Sequence, residues 1–412
     1  MKKLLSKWLL AALALTAAFA PRVQAGVLSS FYRVDLRTDD FLIFALCLLG
    51  LRFFFRLEET SVSAFTEKCF LLFLIACEIS VFNGLFYRTV DKPLVSLLYV
   101  LKWFEYFAVF ALASRFAFEI KDTGFFARVF FVSGAAIVAY GIWEHFFSFA
   151  KAVYPNYYRI FERPPFHGDA NHIGGFLVLW IGFFTGIYLR AKSRLLSAAL
   201  LAALLAAFLP LVWTYSRKSY FALAVVIGAA LLAPGSRRKA VVLASLMVLM
   251  GTQLPLRLVE RLTDLGETFS SSDPFHSSWA AGVFMWKVCL WNFQSFMAFG
   301  SGLGSRHRLF YESQYLLVLA ETGFAGLMAF LAMCFAPVAE IFRSKVGLQF
   351  SLKDGIVLGW LLGFAGLMVH DLSCVSLTVS KIAILFWFLT AIVLAHVRSS
   401  SLNPGVASHG SR

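Results

Sequence analysis

Stretches of about 20 predominantly apolar residues, the length an α-helix needs to cross a bilayer's hydrocarbon core, recur along this chain and leave it few other ways to fold. They begin near Leu4, Phe41, Phe70, Leu94, Phe126, Ile173, Leu195, Tyr220, Ala240, Tyr315, Ile356 and Leu377. Lipid offers backbone N–H and C=O groups no partner, so runs of this length predict helices. The expectation is an all-α, polytopic membrane helical bundle of about twelve spans, residues 1–412 forming one integral membrane domain. A hydrophobic content of 60% with only 15% charged residues excludes an ordinary soluble globular domain.

The formal charge of +14 raises the question of nucleic acid, but the basic residues are not gathered into a patch or tail, so no nucleic-acid partner is expected. They punctuate the apolar runs instead. With a cytoplasmic N-terminus, one set of short connections holds Lys2, Lys3 and Lys7; Arg52, Arg56 and Lys68; Arg115, Lys121 and Arg128; Arg190, Lys192 and Arg194; Arg237, Arg238 and Lys239; Arg343, Lys345 and Lys353; and Arg398 and Arg412. The alternate connections hold fewer cations, mainly in longer loops to which orientation is insensitive. The longest, residues 257–314, is therefore expected outside as a large periplasmic loop containing short helices. Six cysteines with no C-x-x-C indicate neither a zinc site nor a disulfide framework; Cys289, inside that loop, reads as a small buried residue.

Met1 to Ala25 reads either as a signal peptide, with Val23-Gln24-Ala25 at its cleavage end, or as an uncleaved first helix, which is favoured. Lys102 and Glu105 share a helix face and are expected to pair within the bundle, whereas Glu78 has no local partner. After Trp143-Glu144-His145 comes an outer loop that concentrates Arg159, Glu162, Arg163, His167, Asp169, Asn171 and His172. Its Tyr and Trp suit an interfacial belt, and Arg163 beside two prolines suits a bidentate phosphate contact. The H-x-D-x-x-H arrangement matches no metal-ligand spacing, and no metal is expected. The turn Thr214-Tyr215-Ser216-Arg217-Lys218 reads equally as two snorkelling cations or as a polar site. No Walker lysine motif is present, so no nucleotide cofactor is expected.

Within the long loop, Ala281 to Phe299 is amphipathic to apolar, with Trp286, Lys287, Trp291 and Phe293, and the glycine-rich Phe299 to Ser305 leads into a helix carrying Glu312, Tyr315, Glu321, Gly323 and Gly326. Gly300, Gly302 and Gly304 lack a Rossmann context; their N–H groups are expected to form an anion nest ahead of that helix, with Arg306 and Arg308 beside it. Taken alone, Glu312 is a helix N-terminal carboxylate, Glu321 a buried or helix-stabilising acid, and Gly323 and Gly326 close-packing positions. His370, Asp371 and Lys381 read as a structural cluster or as an extension of a site.

Three stretches together resemble the O-antigen ligase and polymerase superfamily of bacterial membrane glycosyltransferases, of GT-C type. They are Arg163 with Asn171; Thr214-Tyr215-Ser216-Arg217; and the glycines 300, 302 and 304 followed by Glu312-Ser313-Gln314-Tyr315 and by Glu321-Thr322-Gly323 and Gly326. The motifs cover about residues 163–326. Glu312 stands where the ligases usually place a histidine, which favours a polymerase of undecaprenyl-diphosphate-linked repeat units. No arginine lies in Ala281 to Met285, where members often carry one before the aromatic matched by Trp286; this leaves Arg257, Arg261 or Lys287 to substitute.

The resemblance implies an inner-membrane enzyme with its active site facing the periplasm. Its substrate would be a polyprenyl-diphosphate-linked oligosaccharide held in membrane lipid, and its partners proteins of the chain-length-regulator and flippase kinds. The expected products are O-antigen, capsule or exopolysaccharide. Arg163 and Arg217, with Arg306 or Arg308 assisting, suit a diphosphate leaving group; Glu312 suits the base, His167 or His172 coming next; Tyr315 suits sugar stacking. The alternatives are a ligase acting on lipid A core, which differs in acceptor, and a polysaccharide-lipid transporter. A transporter would be expected to show duplicated halves with paired broken helices, and the sequence shows no such duplication.

Overall fold

The computed structural model describes residues 2–17, 19–20, 22–29, 32–54, 63–148, 160–161, 170–252, 278–305, 312–344 and 352–402. Each of the twelve expected apolar runs is a helix. In chain order these are α1 (Lys2–Thr16), α2 (Thr38–Phe54), α3 (Ala64–Phe86), α4 (Pro93–Ile120), α5 (Thr123–Phe147), α6 (Ala170–Arg190), α7 (Arg194–Trp213), α8 (Arg217–Leu232), α9 (Arg237–Thr252), α11 (Gln314–Arg343), α12 (Gly355–His370) and α13 (Ser380–Leu402). A further helix, α10 (Ser278–Ser295), falls within residues 257–314, the stretch expected to be a long loop. Ahead of α2 stands an antiparallel hairpin of β1 (Arg22–Ser29) and β2 (Tyr32–Arg37), which the all-helical expectation did not include.

Seven helices, α3 to α7, α11 and α13, are long and apolar enough to cross a membrane. The other expected spans are helices of 15 to 17 residues, so length and composition support seven crossings among the described residues where about twelve were expected. Exposed apolar side chains support a membrane-embedded chain. On α3, Leu72, Ile75, Ile79, Phe82 and Phe86 all face outward, an arrangement that water penalises and hydrocarbon does not.

The chain packs as two compact units: Met1–Val129 with Met285–Leu348 and Ala383–Arg412, and Phe130–Phe284 with Gln349–Ile382. In the first unit an aromatic core ties α3 to its neighbours. Phe70 lies 4.7 Å from Trp387 and 5.4 Å from Phe107, and Phe73 meets Trp103 edge-on at 4.9 Å. Arg115, assigned from the sequence to a cytoplasmic connection, is instead a buried residue of α4; its guanidinium forks onto Glu67 at 2.8 and 2.9 Å. Lys102 pairs with Glu105 at 2.6 Å, as its spacing predicts, and also with Asp40 at 2.8 Å.

The second unit is built on the tight approach of α6 and α12. A Cβ added to Gly182 would stand 2.5 Å from the Gly363 Cα, and one added to Gly186 would overlap Gly359. Both helices carry glycines four residues apart, the spacing that lets backbones touch where packing rather than water drives association. Lys239 of α9 donates to the carbonyls of Tyr188 (3.1 Å) and Ala191 (2.5 Å), satisfying the end of α6 with a cation where the helix dipole is negative.

Candidate functional site

The glycine loop of the first unit is a clasp whose backbone groups are engaged by the protein. Helix α11 breaks at Gly323 (φ 69°, ψ −170°), which frees backbone groups inside an apolar span where each must find a partner. Ser301 N–H donates to the Ala320 carbonyl and Gly302 N–H to that of Glu321, both at 3.0 Å; in return Phe324 and Ala325 donate to Met297 (2.8 Å) and Ala298 (3.2 Å). Ser80, Asn83, Thr89 and Ser96 donate to the carbonyls of Glu321, Gly300, Ser301 and Leu303.

The amide of Gly304 donates to the buried Glu321 carboxylate at 3.1 Å. The N–H groups of Gly302 and Gly304, expected to form an open anion nest, are therefore engaged by Glu321. Glycine is required for proximity: a Cβ on Gly323 would lie 2.5 Å from Ala298, and Gly323 has a left-handed φ. Gly323 is thus a helix break and not simply a packing position.

The second unit contains a different kind of polar corner. The turn before α8 is tied by Thr214, whose hydroxyl donates to the Leu211 carbonyl (2.6 Å) and accepts from Ser216 N–H (3.2 Å), while Tyr215 takes a left-handed φ of 50°. Ser216 caps α8 by accepting from Ser219 N–H at 3.4 Å. The start of α6 packs directly here. A Cβ on Gly174 would overlap Ser219, and one on Gly175 would stand 2.9 Å from the His370 ring and 3.2 Å from the Ser376 hydroxyl. Two helix N-termini therefore adjoin, and neither has an acid in its first turn.

Arg217 and Lys218 occupy the first turn of α8, partly exposed, and Asn171 and His172 the first turn of α6. Cations at a helix N-terminus add to the positive end of the macrodipole, an arrangement that favours an anion there. Beneath it runs a buried polar chain. Ser219 Oγ donates to Ser216 Oγ at 3.0 Å and stands 3.3 Å from His370 Nε2, whose Nδ1 lies 2.9 Å from Ser376 Oγ. Ser376 N–H donates to Asp371 Oδ1 at 2.9 Å, and Asp371 Oδ2 is buried with no hydrogen-bond partner. Complete burial raises the Asp371 carboxyl from 3.8 to about 7, against the lowering effect of its Ser376 bonds.

Of the residues singled out from the sequence, Arg159, Glu162, Arg163, His167, Asp169, Arg257, Arg261, Arg306 and Arg308 lie outside the described residues. Asn171, His172 and Arg217 are brought to the second unit's corner. In the first unit, Glu312 precedes the Ser313 cap of α11, partly exposed, and Tyr315 in its first turn packs 6.2 Å from Phe330. Lys287 is exposed on α10. The sequence reading left His370 in a cluster of uncertain role and overlooked Ser219; the S-x-x-S spacing of Ser216 and Ser219 at a helix start was the available signal. Comparison with known proteins finds no matching family model and no matching curated protein, so the site is read from its own chemistry.

Proposed function

We propose that this chain is a membrane glycosyltransferase that polymerises undecaprenyl-diphosphate-linked oligosaccharide repeat units at the periplasmic face of a bacterial inner membrane. The observation that carries the reading is the acid-free start of α8, where Arg217 and Lys218 add charge to an already positive helix end beside the start of α6. That arrangement suits a diphosphate. In the proposed reaction an acceptor sugar hydroxyl attacks the anomeric carbon of the donor, the anomeric C–O bond breaks, and the lipid diphosphate leaves with the bonding electrons. Fixed cations oppose the charge that builds on it, which requires no nucleotide.

The resemblance assigns the remaining roles. Glu312 takes the acceptor proton, Arg163 supplies a second guanidinium, and Tyr315 orients a sugar. The test is incubation of purified full-length protein with lipid-diphosphate repeat units and no nucleotide. A ladder of lengthening glycans is expected, and it should vanish in Glu312→Ala while the variant still reaches the membrane. Transfer of glycan to lipid A core without elongation would select a ligase instead, and normal chain lengths in Glu312→Ala would remove that residue from catalysis.

A further inference from the structure

We infer that His370 is a positioning residue for Arg217, acting through Ser219 and Ser216; this rests on the reading of Arg217 as a diphosphate contact. The directions of the hydrogen bonds follow from the donors available. Ser219 spends its one hydroxyl proton on Ser216 Oγ, so at the 3.3 Å contact with His370 the ring must donate from Nε2. A neutral ring protonated at Nε2 leaves Nδ1 as an acceptor for the Ser376 hydroxyl, 2.9 Å away; its one proton is then directed at the ring, and Asp371 is held by Ser376 N–H. The result is a one-way chain from Ser376 through His370 and Ser219 to Ser216, the cap residue immediately before Arg217.

His370, Ser376 and Ser219 are fully buried and Ser216 is 2% exposed, so water does not readily replace a lost link. The far end is anchored by Asp371, which accepts from Ser376 N–H at 2.9 Å and fixes the single helical turn Ser376–Thr378. Ser219 also fills the space left by Gly174 of α6, so a displaced Ser219 disturbs both helix starts. Cap and side-chain position are thereby coupled: the chain sets where α8 begins and the direction in which its first residue projects.

Two substitutions separate this role from a merely structural one. His370→Gln keeps a donor at the place of Nε2 and loses the Nδ1 acceptor; His370→Asn keeps the acceptor toward Ser376 and cannot reach Ser219. With full-length protein and lipid-diphosphate repeat units, His370→Asn and Ser219→Ala are each expected to lower kcat/KM about tenfold, His370→Gln less than about threefold, and the His370→Asn, Ser219→Ala double variant no more than either alone. Thermal unfolding of the two His370 variants should be similar. Equal losses in Gln and Asn, or losses that multiply in the double variant, would overturn the inference.

Calorimetric titration with inorganic diphosphate keeps the two ideas apart. Binding by wild type and His370→Gln, weakened about tenfold in His370→Asn, with no glycan ladder from the wild type, would uphold the positioning role and reject the glycosyltransferase. Neither diphosphate binding nor a ladder from the wild type would reject both.

Discussion

Two regions of this molecule use helix ends in opposite ways. In the first unit, the break of α11 at Gly323 and the loop through Gly300, Gly302 and Gly304 exchange backbone hydrogen bonds until the amides that looked available are engaged, Gly304 by the Glu321 carboxylate itself. In the second unit, the starts of α6 and α8 adjoin, neither has an acid in its first turn, and α8 places two cations there. A glycine-rich loop before a helix is thus weak evidence for an anion site until the destination of its N–H groups is known. Cations placed in the first turn of a helix are better evidence, because a bound anion interacts favourably with both the cations and the dipole.

The comparison predicts that the two regions fail differently. Arg217→Ala should reduce glycan elongation by about 10²- to 10³-fold, the usual scale for losing a group that faces transition-state charge, with membrane levels and thermal unfolding unchanged. Arg217→Lys should recover only part of the loss, since an ammonium lacks the guanidinium fork. Gly323→Ala should show the reverse: an unfolding free energy lower by about 2–4 kcal/mol and a reduced amount of protein in the membrane, because the new Cβ meets Ala298 at a left-handed φ. Activity per folded molecule should change little. A Gly323→Ala protein of normal stability and no activity would erase the distinction.

How much of this was legible beforehand follows from the sequence distance over which each feature is decided. Helix positions are local, and all twelve apolar runs became helices; whether a run of 16 residues crosses a membrane is not a local matter. The Lys102–Glu105 pair was readable because its partners are three residues apart, but Asp40, 62 residues away, was not. Arg115 looked like a loop cation since nothing nearby announces Glu67, 48 residues upstream. Gly182 with Gly186, and Gly359 with Gly363, were each visible as four-residue spacings; that they face one another was not. The Ser219–His370 contact joins residues 151 apart, which is why the chain leading to Arg217 emerges only in three dimensions.

A smaller effect sharpens the account of the clasp. Glu321→Ala removes the acceptor of Gly304 N–H in a buried setting, so stability should fall by about 1–3 kcal/mol, the cost of stranding one polar group. Glu321→Gln keeps an oxygen facing that amide and should recover most of the loss. If both variants kept normal stability and lost activity, the carboxylate's charge would matter for chemistry, and the clasp would not be purely architectural.

The smallest effect concerns Asp371, and its sign is fixed by linkage. Burial raises its folded-state carboxyl from 3.8 to about 7, so between these values the folded chain holds a proton that the unfolded chain has released. The stabilisation is complete below 3.8 and is lost as pH rises toward and through about 7. Asp371→Asn mimics the protonated form and keeps an oxygen for Ser376 N–H. Relative to wild type, the variant should therefore gain about 1 kcal/mol as pH is raised from about 6 to 8, read as a crossing of thermal-unfolding curves in detergent. Curves that stay parallel would mean that the carboxylate carries its charge in the folded state throughout this range. The Ser376 anchor of the His370 chain would then be held by an ionised group instead of a neutral one.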